Sequence, residues 1–279
     1  MSGTLYLVAT PIGNLADMSF RAVEILKSVD MIACEDTRHS KKLLNHYGIS
    51  KSLVSYHEHN EKQRTAKLLR ELSSGRSVAL ISDAGTPGIN DPGEFLVREA
   101  IENEIDVVSI PGAVAFVNAV IGSGLPADSI FFGGFLPSKK GDRLRRLDEL
   151  KQVPATLVFY ESPHRLVRSL SDCVAVLGDR QAVAARELTK LHEEVLRGTL
   201  SELVEHFSGA SPRGEFVLVI DRAGDEKPPS ALDDLNERIR ELENSGVDAK
   251  GALKSAAKEF GISRSEAYRR LQASRNKGT

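Results

Sequence analysis

Three loops in this chain have the composition of a ligand-binding surface. ATPIGN (9–14), DAGTPGINDPG (83–93) and PGAVAF (111–116) are rich in Gly, Ala and Pro. Each closely follows an apolar run: LYLVA (5–9), VALIS (78–82) and DVVSI (106–110). Glycine loses more backbone entropy on folding than any other residue, so one such loop is a turn but three call for a further reason. Bare main chain lets a ligand come close to peptide N–H and C=O groups. A nucleoside triphosphate is not expected as that ligand, because the chain has no GxxxxGK[ST] and so no P-loop lysine. A dinucleotide fingerprint is also absent: the nearest match to GxGxxG, GSGLPA (122–127), follows the helical segment AVAFVNAVI and reads as a turn between domains.

Titratable groups gather at other strand ends, in CEDTR (34–38), ESPHR (161–165) and ARELTK (185–190). A carboxylate there, or a lysine with a lowered pKa, has the chemistry of a general base. His57 and His59 form an HxH pair with no convergent Cys or carboxylate set, so no metal is expected.

The elements that position these groups alternate. Up to about residue 125, strands at 5–9, 31–35, 53–56, 78–82 and 106–110 are separated by amphipathic helices. Unbroken Val/Ile/Leu strands between helices predict an open, mostly parallel sheet. Beyond Pro126, strands at 130–137, 155–161, 181–187, 192–198 and 214–221 and helices near 139–151, 163–177 and 200–208 predict a second α/β domain. The strands near 183 and 195 are a short turn apart, which favours antiparallel pairing and a mixed sheet. The polar stretch 222–234, with Pro228 and Pro229, reads as a linker.

The chain has 279 residues, 41% apolar, with a net charge of −2. Cys34 and Cys173 form no disulfide framework. No run reaches the roughly 18 apolar residues of a membrane span, so a cytoplasmic protein with no membrane partner is expected. The charge is uneven. Residues 248–279 hold eight basic and three acidic side chains, so this tail carries +5 and residues 1–247 carry −7. Leu253, Ala256, Ala257 and Phe260 share one helical face; Gly261 and Ile262 make a corner; Ser263 and Glu266 match a capping box. A second helix then turns Ala267, Tyr268 and Leu271 inward, giving a basic helix-turn-helix. Exposed Lys258, Arg264, Arg269 and Arg270 are expected to contact nucleic-acid phosphates.

In order along residues 4–221, YLVATPIGNL, ISDAGTPGINDPG, IPGAVAF, FFGGFLP, YESPHRL, ARELTKLHEE and RGEFVLVI resemble the tetrapyrrole methylase family. The resemblance implies an α/β, two-domain tetrapyrrole-methylase-like fold. Residues 1–125 form the domain with the cofactor loops, 126–222 close the cleft, 223–234 link, and 235–279 form the basic helix-turn-helix module. It implies S-adenosylmethionine as cofactor, held by Pro11 and Ile12, by Asp83, Gly85, Thr86 and Ile89, by Val114 and Ala115, and by Tyr160, Ala185 and Glu215. Tetrapyrrole-directed members usually show GDP where this chain has Gly85-Thr86-Pro87, and this points to the branch that acts on ribosomal RNA. That branch implies methyl transfer to a cytidine 2′-hydroxyl in the decoding region of small-subunit rRNA, in the assembled 30S subunit, by a homodimer. The candidate bases are Glu35, Asp36 and Lys190; Arg38 and Arg186 are candidate phosphate contacts. Two other readings are a methylase of a tetrapyrrole or other small substrate and a ligand-responsive DNA-binding regulator. The basic module argues against the first and the methylase-like loops against the second.

Overall fold

A four-residue run such as Val78–Ile81, buried along its whole length, belongs in the middle of a sheet covered on both faces. The computed structural model, which describes residues 2–209, 212–223, 233–244, 247–260, 262, 263, 265 and 267–269, places it there. The first sheet is parallel and contains β1 (Leu5–Val8), β2 (Met31–Cys34), β3 (Ser52–Ser55), β4 (Val78–Ile81) and β5 (Val107–Ile110). Their order is β3-β2-β4-β1-β5. The crossover helices are α1 (Phe20–Ser28), α2 (Thr37–His46), α3 (Glu61–Ser73) and α4 (Glu94–Glu102). Strand residues alternate between two cores. Val78 and Leu80 pack with Leu68, Leu72 and Leu96 of α3 and α4, while Ala79 and Ile81 pack with Ala22, Leu26 and Leu44 of α1 and α2.

The second sheet is mixed, as expected. It contains β6 (Ile130–Phe135), β7 (Thr156–Glu161), β8 (Gln181–Arg186), β9 (Glu194–Thr199) and β10 (Phe216–Ile220), in the order β6-β7-β10-β8-β9. β6 and β7 are parallel; the other pairs, including β8 with β9, are antiparallel. Helices α6 (Lys140–Leu150), α7 (Leu166–Leu177) and α8 (Leu200–Ser208) cover one face through a core that includes Leu157, Phe159, Leu170 and Phe207. The other face is covered by α5 (Ala115–Ser123), whose Ala119 and Val120 pack with Val158, Val183 and Val219. α5 lies within residues 1–125, the expected first domain, and packs on the second sheet, its apolar face against the Val-rich side of β7, β8 and β10. Both sheets fall in one compact unit, Met1–Arg222.

The second unit, Ala223–Thr279, includes α9 (Asp233–Asn244) and α10 (Ala249–Glu259). Leu235 and Ile239 pack with Ala252, Leu253, Ala256 and Ala257. After α10, Ala267 N–H donates to the Ser263 carbonyl at 3.0 Å, one helical turn, and Ala267 is buried. Tyr268, expected inward, is 53% exposed. Gly261, Arg264, Glu266, Arg270 and Leu271 lie outside the described residues, and with them most of the second helix of the expected helix-turn-helix. Lys258 and Arg269 are exposed. Among the described residues, no helix is long and apolar enough to cross a membrane.

Candidate functional site

The strand order brings the three glycine-rich loops together. β4, β1 and β5 are neighbours in perfect register, with Ile81, Val8 and Ile110 side by side at their carboxyl ends. Ligands of open parallel sheets bind at those ends. The first two loops are joined beyond the strands by an antiparallel bridge. Thr10 N–H donates to the Gly85 carbonyl at 2.9 Å, and Gly85 N–H donates back to the Thr10 carbonyl at 3.2 Å. Gly85 has φ +84°, a conformation that a residue with a Cβ adopts at a cost of roughly 1–2 kcal/mol.

These loops form one wall of a cavity of about 420 Å³, within the size range of small-molecule sites. All the cofactor residues expected from the sequence line it except Pro11, which is buried beside Ile12. Ile12, Asp83, Gly85, Thr86, Ile89, Val114 and Ala115 come from the first sheet's loops and the start of α5; Tyr160, Ala185 and Glu215 face them from the second sheet. The lining suits a ligand that is part apolar and part zwitterionic. Ile12, Ile89 and Val217 offer apolar contact, Asp83 and Glu215 offer carboxylates, and Lys190 offers a cation. Three of the described non-glycine residues with positive φ sit in this region: Asn90 (60°), Glu187 (49°) and Thr189 (66°). Such backbone is costly and tends to collect at functional sites.

A second cavity, also about 420 Å³, adjoins the first through Asn90 and Asp91, which line both. Its wall is acidic, with Glu35, Glu58, Glu61, Asp91 and Glu94 against a single cation, Arg98.

The three candidate bases have different surroundings. Asp36 caps α2 and is bound by Arg38, whose Nη2 lies 3.1 Å from Oδ2. The Arg38 hydrogen bonds hold this exposed carboxyl at about 2, so it is a weak proton acceptor near neutrality. Lys190 donates from Nζ to Glu187 Oε1 and to Glu215 Oε2, both at 2.9 Å. Burial acts to lower its pKa, but the two carboxylates outweigh that and raise it. A lysine base needs the opposite shift, so Lys190 stands in the cavity as an ammonium ion. Glu35 fits the requirement. Burial first, then the charges of Asp83 and Asp91, push its carboxyl up. Asp91 is pushed up mainly by burial, against a hydrogen bond donated by Ser82 Oγ.

Of the expected phosphate contacts, Arg38 has a side chain 90% exposed, whereas Arg186 is engaged by Glu194 at 3.4 Å. His57 faces Asn60 and His59, and no cluster of three or more metal-ligating side chains occurs among the described residues. Sequence reasoning missed Asn90, Asp91 and Phe135 as lining residues, although the first two lie inside the quoted glycine-rich loop and the third follows Gly133-Gly134.

The chain is similar to known proteins over most of its length. The family model described as Tetrapyrrole (Corrin/Porphyrin) Methylases matches residues 4–204. The chain is 48% identical over 270 residues to a protein of Halalkalibacterium halodurans named Ribosomal RNA small subunit methyltransferase I, covering 95% of this chain and 93% of that one. It is 49% identical over 269 residues to a protein of the same name from Mesorhizobium japonicum, covering 96% and 90%. Among solved structures, the uroporphyrin-III C-methyl transferase of Thermus thermophilus, complexed with S-adenosylhomocysteine, superposes with a TM-score of 0.56 at 19% identity, covering 79% of this chain and 98% of that one. That last likeness is one of fold.

Proposed function

The chain belongs to the tetrapyrrole (corrin/porphyrin) methylase family, and from that premise we propose that it is an S-adenosylmethionine-dependent methyltransferase of small-subunit ribosomal RNA, acting on a cytidine 2′-hydroxyl of the decoding region. The observation that carries the reading is the loop-walled cavity adjoining a second, acidic one. S-adenosylmethionine supplies a methyl group already activated on a sulfonium. Asp83, Glu215 and the Lys190 ammonium are the charged groups available to hold its amino-acid and ribose parts, and Ile12, Ile89 and Val217 its apolar surface. Gly85 leaves the main chain bare where a side chain would crowd Ile12, which suits a cofactor gripped through peptide groups.

The acceptor enters the second cavity. Its acidic wall repels phosphodiesters and admits a neutral sugar, so the phosphates stay outside, near exposed Arg38. The surface pair that Arg38 makes with Asp36 is weak enough to be exchanged for a phosphate. A ribose hydroxyl is a poor nucleophile, and one of two carboxylates in the wall of the second cavity, Glu35 or Asp91, takes its proton. Such a base contributes about 10²–10⁴-fold. Replacing Glu35→Gln or Asp91→Asn is therefore expected to lower kcat by at least roughly 10²-fold for the residue that takes the proton, with S-adenosylhomocysteine affinity unchanged. In the unsubstituted protein the rate should rise with pH through a pKa above the ordinary carboxylate range. A pH–rate profile of each variant checks this; two variants of full activity remove the assignment.

The basic tail docks the RNA, and the protein acts as a homodimer on the assembled 30S subunit. The +5 charge of residues 248–279 supports the docking role. The test of the whole reading is to incubate the protein with methyl-labelled S-adenosylmethionine and 30S subunits from a strain lacking the gene, then map the label by mass spectrometry. Label on a ribose of the rRNA is expected, and its absence overturns the reading. In the same assay, residues 1–222 alone should bind the cofactor normally but bind RNA more weakly. The salt slope should shrink by about 0.7 for each phosphate that the tail no longer neutralises.

A further inference from the structure

We infer that Phe135 is the stacking platform for the base of the target nucleotide, an inference that rests on the RNA methyltransferase reading above. Phe135 ends β6, an edge strand. The pairing of β6 with β7 slips just before it: Phe132 is opposite Val158, but Phe135 is opposite Tyr160, so three steps on one strand match two on the other. Such a bulge re-aims the side chain that follows it and is common beside active sites. Gly134 makes this one feasible. It has φ +62°, and a Cβ there would lie 2.5 Å from Asn90 Oδ1. The loop residue that meets the bulge is thus one of the two that line both cavities.

The ring is aimed rather than merely exposed. Phe135 lines the first cavity and is still 54% exposed, and it meets Tyr160 edge-to-face at 5.7 Å, which fixes its plane. Phe20 is 92% exposed but lines neither cavity and has no such support. A held aromatic face at the mouth of a site, beside the junction where the acceptor sugar is placed, matches the way proteins capture an unstacked RNA base. Stacking accepts any base, so Phe135 supplies position rather than identity.

The test measures kcat/KM for 30S subunits and S-adenosylhomocysteine affinity in Phe135→Ala, Phe135→Tyr and the unsubstituted protein. Loss of one base stack predicts a fall of about 5- to 150-fold in kcat/KM for Phe135→Ala. Cofactor affinity should stay within about twofold, and Phe135→Tyr should restore most of the rate. Equal kcat/KM in Phe135→Ala overturns the inference while leaving the methyltransferase reading intact. A parallel fall in cofactor affinity also overturns it, since the ring would then belong to the cofactor wall. No RNA label with the unsubstituted protein overturns both.

Discussion

Replacing Asp172 by alanine is expected to cost about 3–5 kcal/mol of stability, one of the two largest effects foreseen for a single substitution in this chain. Asp172 in α7 and Arg143 in α6 are both buried, and Arg143 donates from Nε to Asp172 Oδ2 at 2.8 Å while Nη2 lies 2.6 Å from the same oxygen. Removing the carboxylate leaves a buried guanidinium without its counter-charge. The cost extends beyond the pair. Arg143 Nη1 also donates to the carbonyls of Pro137 and Ser138, both at 3.0 Å, and these hold the segment that leaves β6 just after Phe135. Urea denaturation of the full chain checks the value. The pair Arg143→Met with Asp172→Leu should recover much of the loss, because two apolar groups need no partner. A loss under about 1 kcal/mol for Asp172→Ala would mean the pair behaves like a solvent-exposed one.

A further effect falls on cofactor binding. Gly85→Val puts a β-branched side chain at φ +84°, with its Cβ 3.3 Å from Ile12 Cγ2 and 3.6 Å from the Ala113 carbonyl. Left-handed backbone alone costs such a residue roughly 1–2 kcal/mol, and β-branching adds to it. Relaxing that strain means rotating Gly85 away from its two main-chain hydrogen bonds with Thr10, which separates the first loop from the second. Both loops are walls of the same cavity, so the two losses compound. Binding of S-adenosylhomocysteine is expected to weaken at least tenfold, about 1.4 kcal/mol, with Gly85→Ala intermediate. Calorimetric titration decides; an affinity within twofold of the unsubstituted protein would mean that the cofactor is not gripped there.

The strands were legible because burial on both sides writes an unbroken apolar run, as in VALI of β4 and FVLVI of β10. The three loops were legible for a related reason: repeated glycine at strand ends is costly unless something lies against the main chain. Which strands are neighbours was not legible. Periodicity reports that β1 is buried, but not that β4 and β5 flank it, and that adjacency is what turns three loops into one wall. The surroundings of Lys190 were hidden for another reason. Glu187, three residues away, is visible in ARELTK, but Glu215 is 25 residues further on and arrives only through β10. FFGGFLP reads as a strand, and neither the slip before Phe135 nor the close approach of Gly134 to Asn90, from the other sheet's loop, is written in it. The neighbour of α5 was not legible, because an apolar helix shows how much it buries, not against what.

The seat of α5 has a mechanical consequence. α5 begins beside Val114 and Ala115 in the cavity wall and carries Ala119 and Val120 into the second sheet's core. Burial of Val120 alone holds it there by roughly 1.5–3 kcal/mol. The helix therefore travels with the second sheet, and any opening between the two sheets would bend the chain at residues 111–114, in the cavity wall itself.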